Sequence, residues 1–120
     1  MDTLYVKIGK QRLRQTIENF YDIIFNESSI RHLFKGDKNE IQEKQILFLT
    51  QFLGGPQLYS ETHGHPKMRL RHMPHEIDEA AKDEWLRCMK KAIDSMNFEN
   101  NLGDALYNCF PLVAQHMVNC

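Results

Sequence analysis

The sequence has few cysteines and no long apolar run. It contains three cysteines, Cys88, Cys109 and Cys120, and no C-x-x-C pair. An odd count without framework spacing argues against disulfides and predicts free thiols in a reducing cytoplasm. The longest unbroken apolar run is Ile46–Leu49, far too short to cross a membrane. The N-terminal stretch MDTLYVKIGKQRLRQ lacks the apolar segment of a cleaved signal. We therefore expect a cytoplasmic protein.

An excess of charge of one sign is also missing. Fifteen Lys and Arg residues stand against 16 Asp and Glu residues, which leaves a net charge of −1. Nucleic acids and anionic membranes attract proteins through a positive field, so we expect neither as a partner. A chain of 120 residues predicts one domain, residues 1–120, with one core and room for one internal pocket.

What the chain does have is helical periodicity. Leu4–Gly9 is a short lead-in, and apolar residues then recur at spacings of three and four. The first predicted helix runs from Lys10 to a break at Asn26–Ser29, and the second runs from about Asn39 to Leu53. The third runs from an N-cap at Asp78 to about Met96. The last runs from about Asn101 to Val118, with a kink or break at Pro111. A short turn reaches Leu33 and Phe34. No strand pattern occurs, so the predicted fold class is all-α.

Three polar side chains interrupt the apolar stripes of different helices. They are Tyr21, Trp85 and Gln45, the last of which lies between Ile41 and Phe48 on a stripe that continues to Leu49 and Phe52. An unpaired buried polar group costs roughly a few kcal/mol, so each needs a partner. Each is therefore either bonded within a dry core or faces a pocket. For Tyr21 and Trp85 the pattern favours the core alternative, with the tyrosine bonded to a backbone carbonyl.

The segment Leu58–His75 holds four of the six histidines. Pro66 suits the first position of a short helix, and Pro74 prevents that helix from continuing. His72 would therefore be presented near the end of a short element, beside Arg71. A histidine held in this way is a candidate metal ligand. A flat apolar cofactor with one axial ligand and a polar opposite side, as haem has, would suit this inventory.

Two other interpretations stay open at this point. His63 and His65 form an H-x-H pair that would bind zinc together with His72 and His75, although no second spaced pair supports it. Alternatively, the chain is a helical interaction module whose polar groups are all satisfied internally. In both cases the sequence offers no further motif that decides the matter.

Several segments resemble the group II truncated haemoglobins of bacteria and plants, the oxygen-binding globin-like branch. The matching segments are Phe20-Tyr21, HLF at His32–Phe34, EKQ at Glu43–Gln45, FLTQFLGGPQLYSETHGHPKMRLRHMP from Phe48 to Pro74, DEWLRCMKKAID at Asp83–Asp94, and AQHMVN at Ala114–Asn119. They span nearly the whole chain. The resemblance implies a truncated globin fold, a two-over-two helical sandwich around one haem b with a much reduced first helix.

The resemblance also implies roles for individual residues. His72 matches the proximal ligand of the haem iron. Tyr21, Gln45 and Trp85 match the distal positions that stabilise a bound ligand. The positions that match haem contacts are Phe34, which packs on the haem, Lys44, Tyr59 and Arg71 at the propionates, Phe48 and Met89 at the pocket wall, and Ile41 at the ligand gate.

Ile41 departs from the family pattern, which usually has alanine, serine or threonine at the gate. A bulky β-branched side chain there predicts a narrower route and no distal water. Hydrogen bonds to a charged acceptor contribute roughly 1.5–3 kcal/mol each. Donation by Tyr21 and Trp85 would therefore slow O₂ release by roughly a hundredfold or more. Slow release favours sensing, scavenging or redox chemistry over bulk oxygen transport.

The expected small ligands are O₂, NO, CO and peroxide. Turnover as an NO dioxygenase or a peroxidase-like enzyme would need an external electron donor, because the sequence has no flavin or nicotinamide motif. Both a monomer and a homodimer are compatible with the pattern.

Overall fold

The structure, a computed structural model, describes residues 2–63, 77–116 and 118. Within these ranges it contains seven α-helices, one 3₁₀ turn at Arg31–Leu33 and no strand. The helices are α1 (Leu4–Ile8), α2 (Lys10–Glu27), α3 (Lys38–Phe52), α4 (Leu58–His63), α5 (Glu79–Asp94), α6 (Leu102–Tyr107) and α7 (Pro111–His116). The predicted all-α class is confirmed. None of the helices in the described ranges has both the length and the apolar content to cross a bilayer.

Within the lead-in, Leu4–Ile8 is helical, which the sequence pattern did not predict. Thr3 caps α1, because its side-chain oxygen accepts a hydrogen bond from the backbone N–H of Val6 at 3.2 Å. Gly9 then takes φ +85°, which glycine adopts at low cost and which lets α2 begin directly after α1. The cap and the glycine together explain how a helix of one turn fits before the first long helix.

The long helices begin and end close to their predicted bounds. Asp37 caps α3 by accepting the N–H of Glu40 at 3.0 Å, and Asp78 caps α5 by accepting the N–H of Ala81 at 2.8 Å. Pro111 breaks the predicted last helix rather than kinking it. It is the first residue of α7, where its missing N–H costs no hydrogen bond.

The buried face of α3 differs from the predicted stripe. The residues of α3 that are buried are Gln42, Ile46, Leu49 and Thr50. Gln45 and Phe48 are only half-buried, and the side chain of Phe52 is 41% exposed. The reason is that α3 has two apolar faces, one against α2 and one along a cavity, and the predicted stripe is mainly the second.

The core lies between α2, α3 and α5, with α1, α6 and α7 packed around them. Its fully buried side chains include Ile8, Leu13, Ile17, Phe20, Ile24, Leu49, Cys88, Met89, Ala92 and Leu106. Because α2 packs on both α3 and α5, its residues occupy the centre of the fold. A side chain near the end of α2 that borders the cavity therefore lies between two neighbouring helices.

Candidate functional site

One cavity opens between α2, α3, α5 and α7. The cavity has a volume of about 100 Å³ and continues into an open mouth. The residues that line it are Tyr21, Ile30, Leu33, Phe34, Gln45, Phe48, Leu49, Phe52, Ile77, Ala81, Lys82, Trp85, Phe110, Val113 and Ala114. The wall is mostly aliphatic and aromatic, so it suits a largely apolar occupant.

The cavity brings together five of the residues singled out from the sequence. Tyr21 comes from α2, Phe34 follows the 3₁₀ turn, Gln45 and Phe48 come from α3, and Trp85 comes from α5. These residues lie up to 64 positions apart in the chain. Periodicity places each on its own helix, but only the packing of the helices shows that they share one wall.

Tyr21 is held firmly at this wall. Its side chain is 2% exposed, and its ring packs edge-on against Phe20 at 4.9 Å and Phe34 at 5.7 Å between centroids. Burial raises the pKa of the Tyr21 hydroxyl well above its usual value, so the hydroxyl stays protonated. Among the described residues no group hydrogen-bonds to it. The expected bond to a backbone carbonyl is absent from that part of the chain, which leaves a protonated donor at the cavity.

Trp85 and Gln45 complete the polar part of the wall. The indole of Trp85 packs edge-on between Phe20 at 5.1 Å and Phe110 at 5.6 Å between centroids. Within residues 2–63, 77–116 and 118, neither the indole N–H nor the Gln45 amide has a hydrogen-bond partner. Three hydrogen-bonding groups therefore meet an otherwise apolar cavity, and an occupant with a polar centre can use them.

Four other predicted contacts do not line the cavity. Met89 is fully buried in the core. Its place on the pocket wall stays a prediction. Ile41 is half-buried against the core and Lys44 is half-buried on α3. Tyr59 is buried and packs edge-on against Phe48 at 5.5 Å between centroids, so it supports the wall from behind.

Residues of α7 and of the first turn of α5 also line the cavity, and sequence reasoning missed them. Val113 and Ala114 belong to α7, and their spacing from Phe110 of three and four residues is the signal that could have identified them. Lys82 lines the wall with its stem, while its ammonium contacts Glu79 and Gln115, each at 3.0 Å. A lysine in a polar run gives no sequence signal of this kind.

The predicted proximal ligand, His72, lies outside the described residues, as do Arg71 and the two prolines Pro66 and Pro74. The zinc alternative concerns His63, His65, His72 and His75, whose side chains also lie outside the described part of the structure. Within that part, no group of three or more His, Cys, Asp or Glu side chains is placed to hold a metal ion. The zinc interpretation therefore stays a prediction without structural support.

The cavity fits haem by its own chemistry. Phe48 and Phe52 lie nearly parallel on the α3 side of the cavity, with 5.8 Å between centroids and 17° between their planes. Tyr21 and Trp85 bring hydrogen-bonding groups to the same cavity wall. A flat apolar ring system with a polar centre suits this combination.

Comparison with known proteins gives consistent matches. Residues 3–119 match the family described as bacterial-like globin. The chain is 42% identical over 115 residues to the group 2 truncated haemoglobin of Bacillus subtilis (strain 168), with 96% of this chain and 87% of the relative covered. The X-ray structure of the truncated oxygen-avid haemoglobin from Bacillus subtilis is similar with a TM-score of 0.92 and 41% identity, over 98% of this chain and 100% of that chain. The crystal structure of the group II truncated haemoglobin from Bacillus anthracis is similar with a TM-score of 0.93 and 38% identity, over 99% of this chain and 98% of that chain.

Proposed function

The chain belongs to the bacterial-like globins as a group II truncated haemoglobin, and we propose that it holds haem b in the cavity and binds O₂ there. The predicted truncated globin fold is confirmed by the same comparisons. The similar protein from Bacillus subtilis is described as oxygen-avid. We propose that this chain also has a high affinity for O₂, because hydrogen-bonding groups line its cavity.

One observation carries the proposal. Tyr21, Gln45 and Trp85 come from three helices, line one cavity, and have no hydrogen-bond partner among the described residues. Tyr21 is buried, Gln45 and Trp85 are half-buried, and no side-chain polar atom of the described residues is both sealed from solvent and unpaired. The hydrogen-bonding groups of these three residues are therefore open to an occupant of the cavity rather than sealed in the core. A small polar ligand next to a flat apolar cofactor would use them.

The residues then act as follows. Haem, when bound, supplies the iron at which a diatomic ligand binds. The Tyr21 hydroxyl donates a hydrogen bond, since its raised pKa keeps it protonated, and the Trp85 indole can only donate. A ligand that draws electron density becomes a better acceptor, so both donors stabilise it. The Gln45 amide has both donors and an acceptor, so it can form a hydrogen bond with a ligand atom of either kind.

The opposite side of the site is proposed from the family pattern. His72 is the proximal ligand, and neutral imidazole is a common ligand for iron. Lys44, Tyr59 and Arg71 are proposed at the propionates, where cations and a hydroxyl would pair with carboxylates. Lys44 on α3 and Tyr59 on α4 lie on consecutive helices. Tyr59 also touches Phe48, which links the proposed propionate end to the aromatic wall.

Slow release of O₂ would favour sensing, scavenging or redox chemistry over bulk transport. The proposed ligands are O₂, NO, CO and peroxide, and turnover as an NO dioxygenase or peroxidase-like enzyme would need an external electron donor. The thiols of Cys88 and Cys109 are free, which suits the proposed reducing cytoplasm.

Absorption spectroscopy of the purified protein tests the proposal. We expect a red protein with a Soret band, one haem per chain by pyridine haemochrome assay, and a spectrum that changes on addition of O₂ to the ferrous form. His72→Ala should lose stable haem, whereas the matched control His63→Ala should retain it. A colourless protein that does not take up added hemin would overturn the proposal. Equal haem retention by both variants would overturn the assignment of His72.

A further inference from the structure

A polar cluster joins the end of α2 to α5 beside the cavity. Its members are Ser28, Glu84, Arg87 and Cys88, and none of them lines the cavity itself. The Glu84 side chain is only 17% exposed. A carboxylate with so little exposure has lost much of its hydration, and hydrogen bonds must compensate for that loss. These hydrogen bonds hold the side chains of the cluster in place.

The hydrogen bonds of the cluster are directional. Ser28 Oγ donates to Glu84 Oε2 at 2.6 Å and accepts the backbone N–H of Ile30 at 3.3 Å. Arg87 donates to both Glu84 oxygens, at 2.7 and 2.8 Å. Arg87 and Ser28 lower the pKa of Glu84 to about 2, so the carboxylate is ionised at neutral pH. Charge-assisted bonds of this type are among the stronger ones in proteins.

The cluster is connected to the cavity at both of its ends. On one side, Ile30 lines the cavity and its backbone is held by Ser28. On the other side, Trp85 is the next residue after Glu84 on α5. The indole ring packs against Phe20 and Phe110 and has no hydrogen bond of its own within the described residues. Because Trp85 follows Glu84 directly, the position of the α5 backbone at Glu84 also determines where the indole lies.

Other polar links between α2 and α5 lie elsewhere. Asn19 Nδ2 donates to Ser95 Oγ at 3.1 Å, and Lys91 pairs with Glu27. Both links are exposed. They reach Lys91 in α5 and Ser95, the residue after α5, which lie six and ten residues beyond Trp85. Among the described residues, only the bond between Ser28 and Glu84 reaches α5 next to Trp85. This difference supplies a control for the effect of helix docking in general.

We propose that Ser28 and Glu84 are positioning residues for Trp85: their hydrogen bond sets the place of the indole N–H at the cavity. The inference rests on the proposed function, since it concerns the same ligand site. Loss of the bond should let the first turns of α5 shift relative to α2. The indole would then donate less well to a ligand, although the fold remains.

Four variants test this inference. Ser28→Ala and Glu84→Gln weaken the bond, Ser28→Thr retains the hydroxyl, and Asn19→Ala removes a link between the same helices far from Trp85. Trp85 is the only tryptophan, so its indole gives one ¹H–¹⁵N cross-peak. The cross-peak is measured on the CO-bound haem protein, and the O₂ dissociation rate is measured on the O₂-bound haem protein. The melting temperature of each variant is measured as well.

We expect Ser28→Ala and Glu84→Gln to shift the indole cross-peak and to raise the O₂ dissociation rate several-fold. Ser28→Thr should restore both readouts. Asn19→Ala should lower the melting temperature without changing either. If Ser28→Ala lowers only the melting temperature, as Asn19→Ala does, the bond is merely structural and the inference is overturned. Should Glu84→Gln fail to fold, Ser28→Ala and Ser28→Thr decide the question.

The same measurements separate this inference from the proposed function. A wild-type protein without haem overturns the proposed function, and the indole cross-peak of that protein still shows whether Ser28 positions Trp85. A protein that holds haem but shows an unmoved cross-peak in Ser28→Ala overturns the positioning role alone.

Discussion

The rings of Phe20 and Trp85 lie 5.1 Å apart between centroids at an angle of 61°, which joins α2 to α5 at the wall of the cavity. Phe20 also packs edge-on against Tyr21, its neighbour in the chain. One fully buried phenylalanine therefore contacts the two side chains that we propose as ligand donors. The donors are held by ring packing, because neither has a hydrogen bond among the described residues.

Phe20→Ala should destabilise the protein strongly. Truncation of a fully buried phenylalanine typically costs about 3–5 kcal/mol, since apolar contact is lost and a cavity remains. Urea unfolding followed by far-UV circular dichroism measures the change in the free energy of unfolding. The control Phe52→Ala changes a phenylalanine that is 41% exposed and should cost much less. Equal losses in the two variants would contradict the central position of Phe20.

Trp85→Phe should remove the indole donor and keep most of the ring packing. We expect the C–O stretching frequency of the CO-bound protein to rise, because the ligand loses a hydrogen-bond donor. Infrared spectroscopy measures this frequency directly. Phe110→Leu, which changes a packing partner of Trp85 without removing a donor, is the control. An unchanged frequency in Trp85→Phe would remove Trp85 from its proposed role.

Ile41→Ala should speed ligand entry if this position is the gate, as the family pattern implies. The smaller side chain removes the β-branched group that narrows the route. Flash photolysis of the CO-bound protein gives the bimolecular association rate constant, which we expect to rise several-fold. Ile23→Ala, a change to a partly buried residue of α2 that does not line the cavity, serves as the control. A rate constant equal to that of the wild type would show that ligands enter by another route.

Stability at acid pH should depend on Glu84. Its pKa in the folded protein is about 2, below the usual value for glutamate of roughly 4.3. The unfolded chain therefore takes up a proton at higher pH than the folded chain does. The resulting stabilisation is complete above about pH 5 and is lost as the pH falls towards 2. Melting temperatures of wild type and Glu84→Gln between pH 3 and 7 test this. Parallel curves would contradict it, whereas a shallower acid decline in Glu84→Gln is expected.

The helices could be predicted from the sequence because their ends carry local signals. Asp78 caps α5, and the break at Pro111 follows from the chemistry of proline alone. The polar residues Tyr21, Gln45 and Trp85 were identifiable because they interrupt apolar stripes. The family resemblance then supplied their roles, which periodicity could not.

The orientation of α3 could not be predicted in the same way. A face that packs against another helix and a face that lines a cofactor cavity are both apolar, so the pattern of Ile41, Gln45 and Phe48 fits either. Met89 shows a related limit. It shares the inner side of α5 with Trp85, but Met89 is fully buried in the core whereas Trp85 lines the cavity. Only the packing of the helices separates these cases.

The O₂ dissociation rate of Tyr21→Phe tests the central claim most directly. The substitution removes only the hydroxyl, whose hydrogen bond to a charged acceptor would contribute roughly 1.5–3 kcal/mol, and it leaves the edge-on packing in place. Stopped-flow mixing of the O₂-bound protein with CO gives the rate, and Tyr107→Phe, outside the cavity, is the matched control. We predict a rate about tenfold higher or more in Tyr21→Phe and an unchanged rate in the control. A wild-type rate in Tyr21→Phe would contradict the claim that this cavity stabilises bound O₂ through its buried tyrosine.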